Sequence, residues 1–193
     1  TKFSLFCKYQ RKFGFGQYTG IDLPNERSCA GLLYDESMSV LDLATNSFGQ
    51  NFNLTMIQLS TAFCSVINGG YLYQPYVVKG VYSDSGELIR SNGKTLVCRT
   101  ISEDTSDTIK TALRQVVVEG TGTAADIEGY IISGKTGTGE KLGREQGKYV
   151  VSFIGFAPYE NPQVVCYVVI DEPETGDQSG VSGGLFRDIM KEV

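Results

Sequence analysis

The sequence predicts an α+β fold in which an antiparallel sheet is flanked by helices. Two helical patterns with capping signals lie in the middle of the chain, and strand-forming residues dominate from Tyr130 onward. Two strongly β-prone runs there, 149–156 and 164–170, are separated by a turn at Asn161-Pro162. Three strands followed by a closing helix therefore give the α+β class with an antiparallel sheet.

The first 52 residues carry weaker signals. A helical spacing is formed by Phe3, Phe6, Cys7 and Gln10. Gly14 and Gly16 then break this pattern. Residues 19–24 are predicted to be extended, because the proline at their end disfavours helix at the residue before it. Residues 28–52 are predicted to be loop with short helical pieces.

The clearest helix signal begins at Thr55. Thr55 is a good N-cap, and Gln58 stands three residues later, as a capping box requires. Gly69 and Gly70 supply the stop signal. The apolar stripe between these signals consists of Leu59, Ala62, Phe63, Val66 and Ile67.

A β-hairpin and a second helix follow. The hairpin has its first strand over 71–82 and turn residues over 84–87. The helix is capped near Ser102 or Ser106 and ends at Gly120. Its apolar positions are Ile109, Leu113, Val116 and Val117.

The end of the chain contains the remaining elements. Residues 130–132 lead as a strand into the segment 133–138, and residues 184–193 are predicted to form a short closing helix. The residues expected on one side of that helix are Phe186, Ile189, Met190 and Val193.

Length, composition and charge exclude several classes of protein. At 193 residues, with 41% apolar and 20% charged residues, the chain is typical of one folded globular domain. No apolar run reaches the roughly 18–20 residues that span a bilayer. Because the first residue is Thr1 rather than Met, this says nothing about the location of the complete protein. The net charge of −5, without any basic run, argues against a nucleic-acid partner.

The absence of histidine restricts the chemistry. It removes the commonest general base at neutral pH and the commonest zinc ligand, so catalysis would depend on Ser, Lys, Tyr or carboxylates. The five scattered cysteines are predicted to be small buried hydrophobes rather than a disulfide framework or a zinc site. Asp171, Glu172 and Glu174 are interpreted as a solvated acidic loop rather than a metal cluster. No metal or organic cofactor is implied.

The segment Ser133-Gly134-Lys135-Thr136-Gly137-Thr138 is the strongest candidate for a functional site. On a strand, Lys135 would place a positive charge beside a cleft, and the hydroxyls of Thr136 and Thr138 would share one face. Gly137 would let an extended ligand lie against the backbone. These features suit a peptide that ends in a carboxylate and binds as an added strand.

A nucleotide-binding loop is the main alternative for this segment. Residues 129–136 match the P-loop string Gly-x-x-x-x-Gly-Lys-Thr. However, the intervening Tyr-Ile-Ile favours a strand, and Gly-Thr-Gly-Glu after the motif is unsuited to begin a helix. A strand is therefore the preferred interpretation.

The sequence resembles the penicillin-binding proteins, and specifically the class B, monofunctional serine transpeptidases of cell-wall synthesis. Their Lys-Thr-Gly-Thr motif stands here at Lys135–Thr138. The other matching segments, in the family's order and spacing, are 13–17, 19–24, 47–50, 54–55 with 68–70, 152–158 and 168–173. Together they extend through nearly the whole chain.

The resemblance implies a fold like that of serine β-lactamases and transpeptidases, with a role for each motif residue. Lys135 would set the charge of the site, Thr136 and Thr138 would bind the ligand carboxylate, and the Thr138 backbone N–H would form half of the oxyanion hole. The implied ligands are peptidoglycan stem peptides ending in D-Ala-D-Ala, with β-lactam antibiotics as mimics. The implied location is the outer face of the bacterial cytoplasmic membrane, with the anchor outside this chain.

The family's catalytic serine motif, Ser-x-x-Lys, and its Ser-x-Asn motif are expected upstream of this chain. Ser91-Asn92-Gly93-Lys94 matches the first string but is interpreted as a surface turn, because a helix is needed to bring Ser and Lys onto one face. Residues 1–193 are thus predicted to be the C-terminal part of one transpeptidase domain, inactive alone and dependent on the upstream segment for folding. A non-catalytic β-lactam sensor or binding module of the same fold is the alternative.

Overall fold

The computed structural model describes residues 2–141, 147–174 and 180–193, and it confirms the α+β class with antiparallel sheets. The chain forms two compact units, of which the first ends at Glu103 and the second begins at Asp104. Over the described ranges, every helix is too short or too polar to cross a membrane.

The first unit combines three α-helices with two small antiparallel sheets. Its helices are α1 (Lys2–Lys12), α2 (Val40–Ser47) and α3 (Met56–Ile67). Its strands are β1 (Tyr71–Tyr73), β2 (Gly80–Tyr82), β3 (Leu88–Ser91) and β4 (Leu96–Arg99). Strand β1 pairs with β4, and β2 pairs with β3.

The second unit is a three-stranded antiparallel sheet with helices. Helix α4 (Glu103–Val118) begins at the boundary between the units. The sheet has the order β5-β6-β7, and helix α5 follows it. These elements are β5 (Ser133–Glu140), β6 (Tyr149–Ala157), β7 (Val164–Asp171) and α5 (Gly180–Met190).

Helix α3 begins as its capping box predicts. The backbone N–H of Gln58 donates to the Thr55 hydroxyl over 3.2 Å, and the Thr55 N–H donates to the Gln58 side chain over 3.1 Å. Gln58 is only 1% exposed, and its amide also donates to the carbonyl of Ser28 over 2.6 Å. One glutamine therefore caps the helix and fixes the loop that precedes α2.

The predicted hairpin is confirmed around its turn but not along its first strand. Ser83 and Glu87 close the turn between β2 and β3, with the Ser83 N–H donating to the Glu87 carbonyl over 2.8 Å. The predicted strand 71–82 is wrong between residues 74 and 79. Pro75 has no N–H for a strand ladder. Strand β4, which the sequence analysis did not identify, pairs with β1 instead.

The carboxylate of Asp22 binds the backbone that follows Pro75. It accepts hydrogen bonds from the N–H groups of Val77 and Val78 over 2.7 and 2.9 Å, and from the Asn92 side chain over 3.1 Å. Asp22 belongs to the segment predicted to be extended, and its bonds hold residues 77–78 in a non-strand path.

Substitution of Asp22 by asparagine is expected to lower the stability of the protein at neutral pH. The Val77 N–H, and then that of Val78, lowers the pKa of Asp22 below its ordinary value. A depressed folded-state pKa stabilises the fold above the unfolded pKa, near pH 4, and this contribution is lost as the pH falls through the folded pKa. Thermal unfolding at pH 7 and pH 3 should therefore show a smaller pH difference for Asp22→Asn than for the parent. Asp84→Asn, exposed in the hairpin turn, is the control and should behave as the parent.

Helix α4 starts directly after Ser102, so the alternative start at Ser106 is wrong. Ser106 lies within the helix and is fully buried. Leu113 and Val117 form the buried side of α4, as their spacing predicts.

The closing helix is longer at its start and shorter at its end than predicted. Helix α5 begins at Gly180, four residues before the predicted start at Gly184, and it ends at Met190 rather than Val193. A Cβ atom on Gly183 would lie 3.3 Å from Ala124, so a glycine here permits close packing rather than breaking the helix. Phe186 is fully buried, whereas Ile189 is 41% exposed, and Val193, at 78% exposed, lies beyond the end of the helix.

The five thiols are all free, which agrees with the prediction that they form no disulfide framework. The prediction that they are buried holds for Cys7 and is wrong for Cys64, which is exposed. The other three are Cys29, Cys98 and Cys166, all half-buried.

Candidate active site

The four predicted site residues lie together on β5, at an edge of the three-stranded sheet. Lys135 and Thr136 pair with Ile154 and Phe153 of β6. The segment is therefore the middle of an eight-residue strand, and β5 is not followed directly by a helix. A P-loop needs a phosphate-cradling loop that opens a helix, so the nucleotide-binding alternative does not fit this geometry.

The sheet has two distinct faces, which we name the helix face and the Lys135 face. On the helix face, Phe153 of β6 packs against Phe186 of α5 with ring centroids 4.7 Å apart. A Cβ on Gly134 would lie 2.6 Å from the Phe153 ring, so Gly134 is on this face. Because strand residues alternate, Thr136 and Thr138 share the helix face. Lys135 and Gly137 lie on the opposite one.

The helix face carries the hydrophobic core of the second unit. Its central residues come from α4, β6, β7, α5 and the turns before β5, and all are less than a tenth exposed. They are Val117, Ala125, Ile127, Ile132, Phe153, Val168 and Phe186. Strand β5 therefore rests on a rigid support, with its threonines at the margin of that core.

A side chain at Gly137 would crowd its neighbour on the Lys135 face. A Cβ at this position would lie 2.5 Å from the hydroxyl oxygen of its cross-strand partner Ser152. The Ser152 hydroxyl also bonds the phenol of Tyr167, whose pKa is raised by burial. Sequence reasoning missed Ser152 and Tyr167, because only the cross-strand register brings them beside Gly137.

Lys135 is exposed, and its ammonium group bends back toward its own strand. The Lys135 Nζ donates to the Thr136 carbonyl over 2.7 Å and to the Thr136 hydroxyl over 3.4 Å. Within residues 2–141, 147–174 and 180–193, it forms no ion pair. A charge without a counter-ion and the Thr136 hydroxyl thus meet at the edge of β5, an arrangement that suits an anionic ligand.

Thr121, which follows α4, also contacts the motif. Its hydroxyl oxygen lies 2.7 Å from that of Thr136. Arg114 on the same helix donates to the carbonyl of Ile132 over 2.6 Å and pairs with Asp126 over 3.2 Å. Sequence reasoning treated the residues after Gly120 only as a helix stop and missed this contact.

The remaining sequence candidates lie elsewhere. Ser91 ends β3 and residues 92–94 are irregular rather than helical, so the Ser91–Lys94 string lacks the helix that would bring Ser and Lys onto one face; the predicted turn is not found, because Ser91 itself is a strand residue. Asp171 and Glu172 accept hydrogen bonds from Lys141 over 2.6 and 2.9 Å, and Glu172 also pairs with Lys148 over 3.0 Å. The bonds from Lys141, and then from Lys148, lower the pKa of Glu172. These two carboxylates at the end of β7 therefore form ion pairs with Lys141, which follows β5, and Lys148, which precedes β6.

Comparison with known proteins identifies the family. The model of the penicillin binding protein transpeptidase domain matches residues 4–191, which include the whole of β5. The chain belongs to this family. The resemblance noted in the sequence, to class B penicillin-binding proteins, is thereby confirmed.

Individual members of the penicillin-binding protein family align over nearly all of the chain. Stage V sporulation protein D of Bacillus subtilis is 40% identical over 199 residues, covering 96% of this chain and 30% of that protein. The peptidoglycan D,D-transpeptidase FtsI homolog of Mesostigma viride is 30% identical over 212 residues, covering 98% and 35% respectively. The chain therefore spans about a third of the length of these relatives.

A solved structure of the same family shares the fold. Penicillin binding protein 3 from Mycobacterium tuberculosis, complexed with aztreonam, superimposes with a TM-score of 0.86 at 27% identity. The match covers 97% of this chain and 45% of that one.

Proposed function

We propose that this chain is the C-terminal part of the transpeptidase domain of a peptidoglycan D,D-transpeptidase and supplies its substrate-binding strand. One observation carries the proposal: Lys135, without an ion-pair partner among the described residues, and the Thr136 hydroxyl converge within 3.4 Å at the edge of β5. A relative named as a peptidoglycan D,D-transpeptidase aligns across this strand, which supports the assignment.

The ligand would be a stem peptide ending in D-Ala-D-Ala, bound as an additional strand along β5. An edge strand offers backbone groups to an extended peptide, and Gly137 has no side chain to obstruct it. The terminal carboxylate would receive hydrogen bonds from Thr136 and Thr138 and be attracted by Lys135. The backbone N–H of Thr138 would supply half of the oxyanion hole.

The nucleophile would come from an upstream segment of the same domain, carrying the family's Ser-x-x-Lys and Ser-x-Asn motifs. Its serine oxygen would attack the carbonyl of the D-Ala-D-Ala bond while the serine proton passes to the paired lysine; that proton would then go to the departing nitrogen, so that the terminal D-Ala leaves as the amine. The resulting ester would then transfer the stem peptide to an amine of a neighbouring strand. Curated relatives about three times longer than this chain support such an upstream segment.

The sheet also offers a place for upstream strands. Strand β7 is at the edge opposite β5 in the described sheet, and an unpaired edge favours pairing with a further strand. We assign the location of the complete protein to the outer face of the bacterial cytoplasmic membrane, where peptidoglycan is cross-linked. β-Lactam antibiotics are the expected inhibitors, in line with the aztreonam complex of the related structure.

A labelling experiment tests this proposal. The chain is incubated with a fluorescent penicillin alone and then together with the separately expressed upstream segment, with excess unlabelled penicillin as the competition control. We expect no covalent label on the chain alone, and a label on the upstream segment when both are present. Label attached to Ser91 of this chain, or no label on either piece of a folded complex, would contradict the proposal.

The complex of this chain with its upstream segment can also be used to distinguish a transpeptidase from a sensor of the same fold. A transpeptidase acylated by a stem-peptide analogue passes the acyl group to an added fluorescent D-amino acid. A sensor forms the penicillin ester but shows no such exchange, and that result would favour the binding module.

A further inference from the structure

We infer that Thr121 is a positioning residue for this site, which orients the Thr136 hydroxyl so that its proton points toward the ligand carboxylate. This inference rests on the proposed function and adds a residue from outside the Lys135–Thr138 strand. Thr121 belongs to the turn after α4, 15 residues before Thr136 along the sequence. The observation behind it is the 2.7 Å contact between the Thr121 and Thr136 hydroxyl oxygens.

In the Thr121–Thr136 contact either hydroxyl could be the donor, and the hydrogen-bonding capacity of each group limits the possible arrangements. The Thr136 hydroxyl has one proton to donate and two lone pairs to accept with. The Lys135 ammonium can only donate, and it lies 3.4 Å from the Thr136 oxygen. If the Thr121 hydroxyl donates as well, both lone pairs of Thr136 are occupied. The Thr136 proton is then left for a third group, which must be an acceptor.

A carboxylate is such an acceptor. An ionised carboxylate can only accept hydrogen bonds, so it selects the arrangement in which Thr136 donates outward and Thr121 donates to Thr136. With Thr121 absent, the Thr136 proton would be free to turn toward other acceptors, and the arrangement that binds the carboxylate would lose its support. Thr121 therefore acts on the ligand through Thr136, without touching it.

The backbone holds Thr121 in place with little freedom. The N–H of Gly122 donates to the carbonyl of Val116 over 2.9 Å, which closes the turn after α4. A Cβ on Gly120 would lie 2.9 Å from the backbone of Val116, and one on Gly122 would lie 3.2 Å from the Phe153 ring. Gly120 thus allows the chain to turn tightly against the end of α4, and Gly122 allows it to approach the Phe153 ring of β6, so Thr121 between them is held on both sides.

A purely structural role for this contact is disfavoured by its exposure. Thr121 is exposed, and its hydroxyl does not satisfy a buried polar group. Removing an exposed hydrogen bond between two hydroxyls has a small effect on stability, since water replaces it. The contact matters for ligand binding because a hydrogen bond to a charged group is stronger than one between neutral groups.

The test uses the complete protein, including its upstream segment, with variants Thr121→Val and Thr121→Ser. Valine has nearly the shape of threonine but lacks the hydroxyl, whereas serine keeps it. The second-order acylation rate constant is measured with a penicillin bearing its free carboxylate and with the methyl ester of the same penicillin. Thr123→Val, an exposed threonine two residues further on at the start of a 3-10 helix, is the matched control.

We expect Thr121→Val to slow acylation by the free acid about tenfold, as suits one lost hydrogen bond that supports a charged ligand. Thr121→Ser should restore the rate to within about twofold of the parent. The ester should react slowly and equally with all variants, and the thermal unfolding midpoint should remain unchanged.

Three other outcomes would overturn the inference. Equal rates for Thr121→Val and the parent with the free acid would show that the hydroxyl does not act on the ligand. An equal slowing with acid and ester, or with Thr121→Val and Thr123→Val, would indicate a general structural effect. A parent protein that no penicillin labels would instead remove the proposed function itself, and this inference with it.

Discussion

Replacement of Lys135 by alanine in the complete protein is expected to slow covalent labelling by penicillin about a hundredfold. The ammonium group is the one positive charge that the motif brings to the edge of β5. Truncating one partner of a hydrogen-bonded charge pair that the bound ligand buries costs about 2–5 kcal/mol, and each 1.4 kcal/mol is a tenfold change. The acylation rate constant, measured with a fluorescent penicillin at several concentrations, gives the effect directly.

The expected loss is specific to ligand binding. Lys135 is exposed and, among the residues that the structure describes, donates only to its neighbour Thr136, so the alanine variant should keep the thermal stability of the parent. Lys148→Ala provides the control, because this lysine lies at the far end of the same sheet and pairs with Glu172 over 3.0 Å. If Lys135→Ala is labelled as fast as Lys148→Ala, the carboxylate does not depend on the Lys135 charge.

The local signals in the sequence were sufficient for several elements. Thr55 and Gln58 form the predicted capping box, and the strands 149–156 and 164–170 are found within one residue of their predicted ends. Capping and strand propensity act over a few residues, so a sequence pattern contains them completely. The motif Lys135–Thr138 lies on a strand as predicted, but the prediction that residues 130–132 belong to that strand is wrong, because β5 begins at Ser133.

Contacts between residues far apart in the sequence could not be predicted from such local patterns. The path of residues 77–78 is set by Asp22, more than fifty residues away, and β1 pairs with a strand that is short and largely exposed. Thr121 reaches Thr136 only because α4 and β5 pack on one core. No local pattern records such a register, since it arises from packing of the whole unit.

The support beneath the motif is as specific as the motif itself. Thr136 lies directly across from Phe153 in the β5–β6 register, and Phe153 fills the space that a Cβ on Gly134 or Gly155 would need. The two glycines and one large ring therefore form a single packing unit. Because β5 is an edge strand with one pairing partner in the described sheet, its position depends on this unit more than that of β6 does.

Substitution of Phe153 by alanine is therefore expected to lower the free energy of unfolding by about 3–5 kcal/mol, the range for removing a fully buried aromatic side chain. Phe153 is 0% exposed and contacts the Phe186 ring at a centroid distance of 4.7 Å, so alanine leaves a cavity that two adjacent glycines cannot fill. Chemical denaturation of the complete protein measures the loss. Phe48→Ala, a phenylalanine that is 69% exposed, should change the stability by less than about 0.5 kcal/mol.

A more conservative substitution of Phe153 tests whether this packing affects the position of the motif. Phe153→Leu keeps much of the buried volume and should remain folded even if the alanine variant does not. Because the leucine no longer supports β5 opposite Thr136, we expect penicillin acylation to slow more than the modest loss of stability would account for. Normal acylation by a Phe153→Leu protein of reduced stability would show that the position of the motif is independent of the ring beneath it.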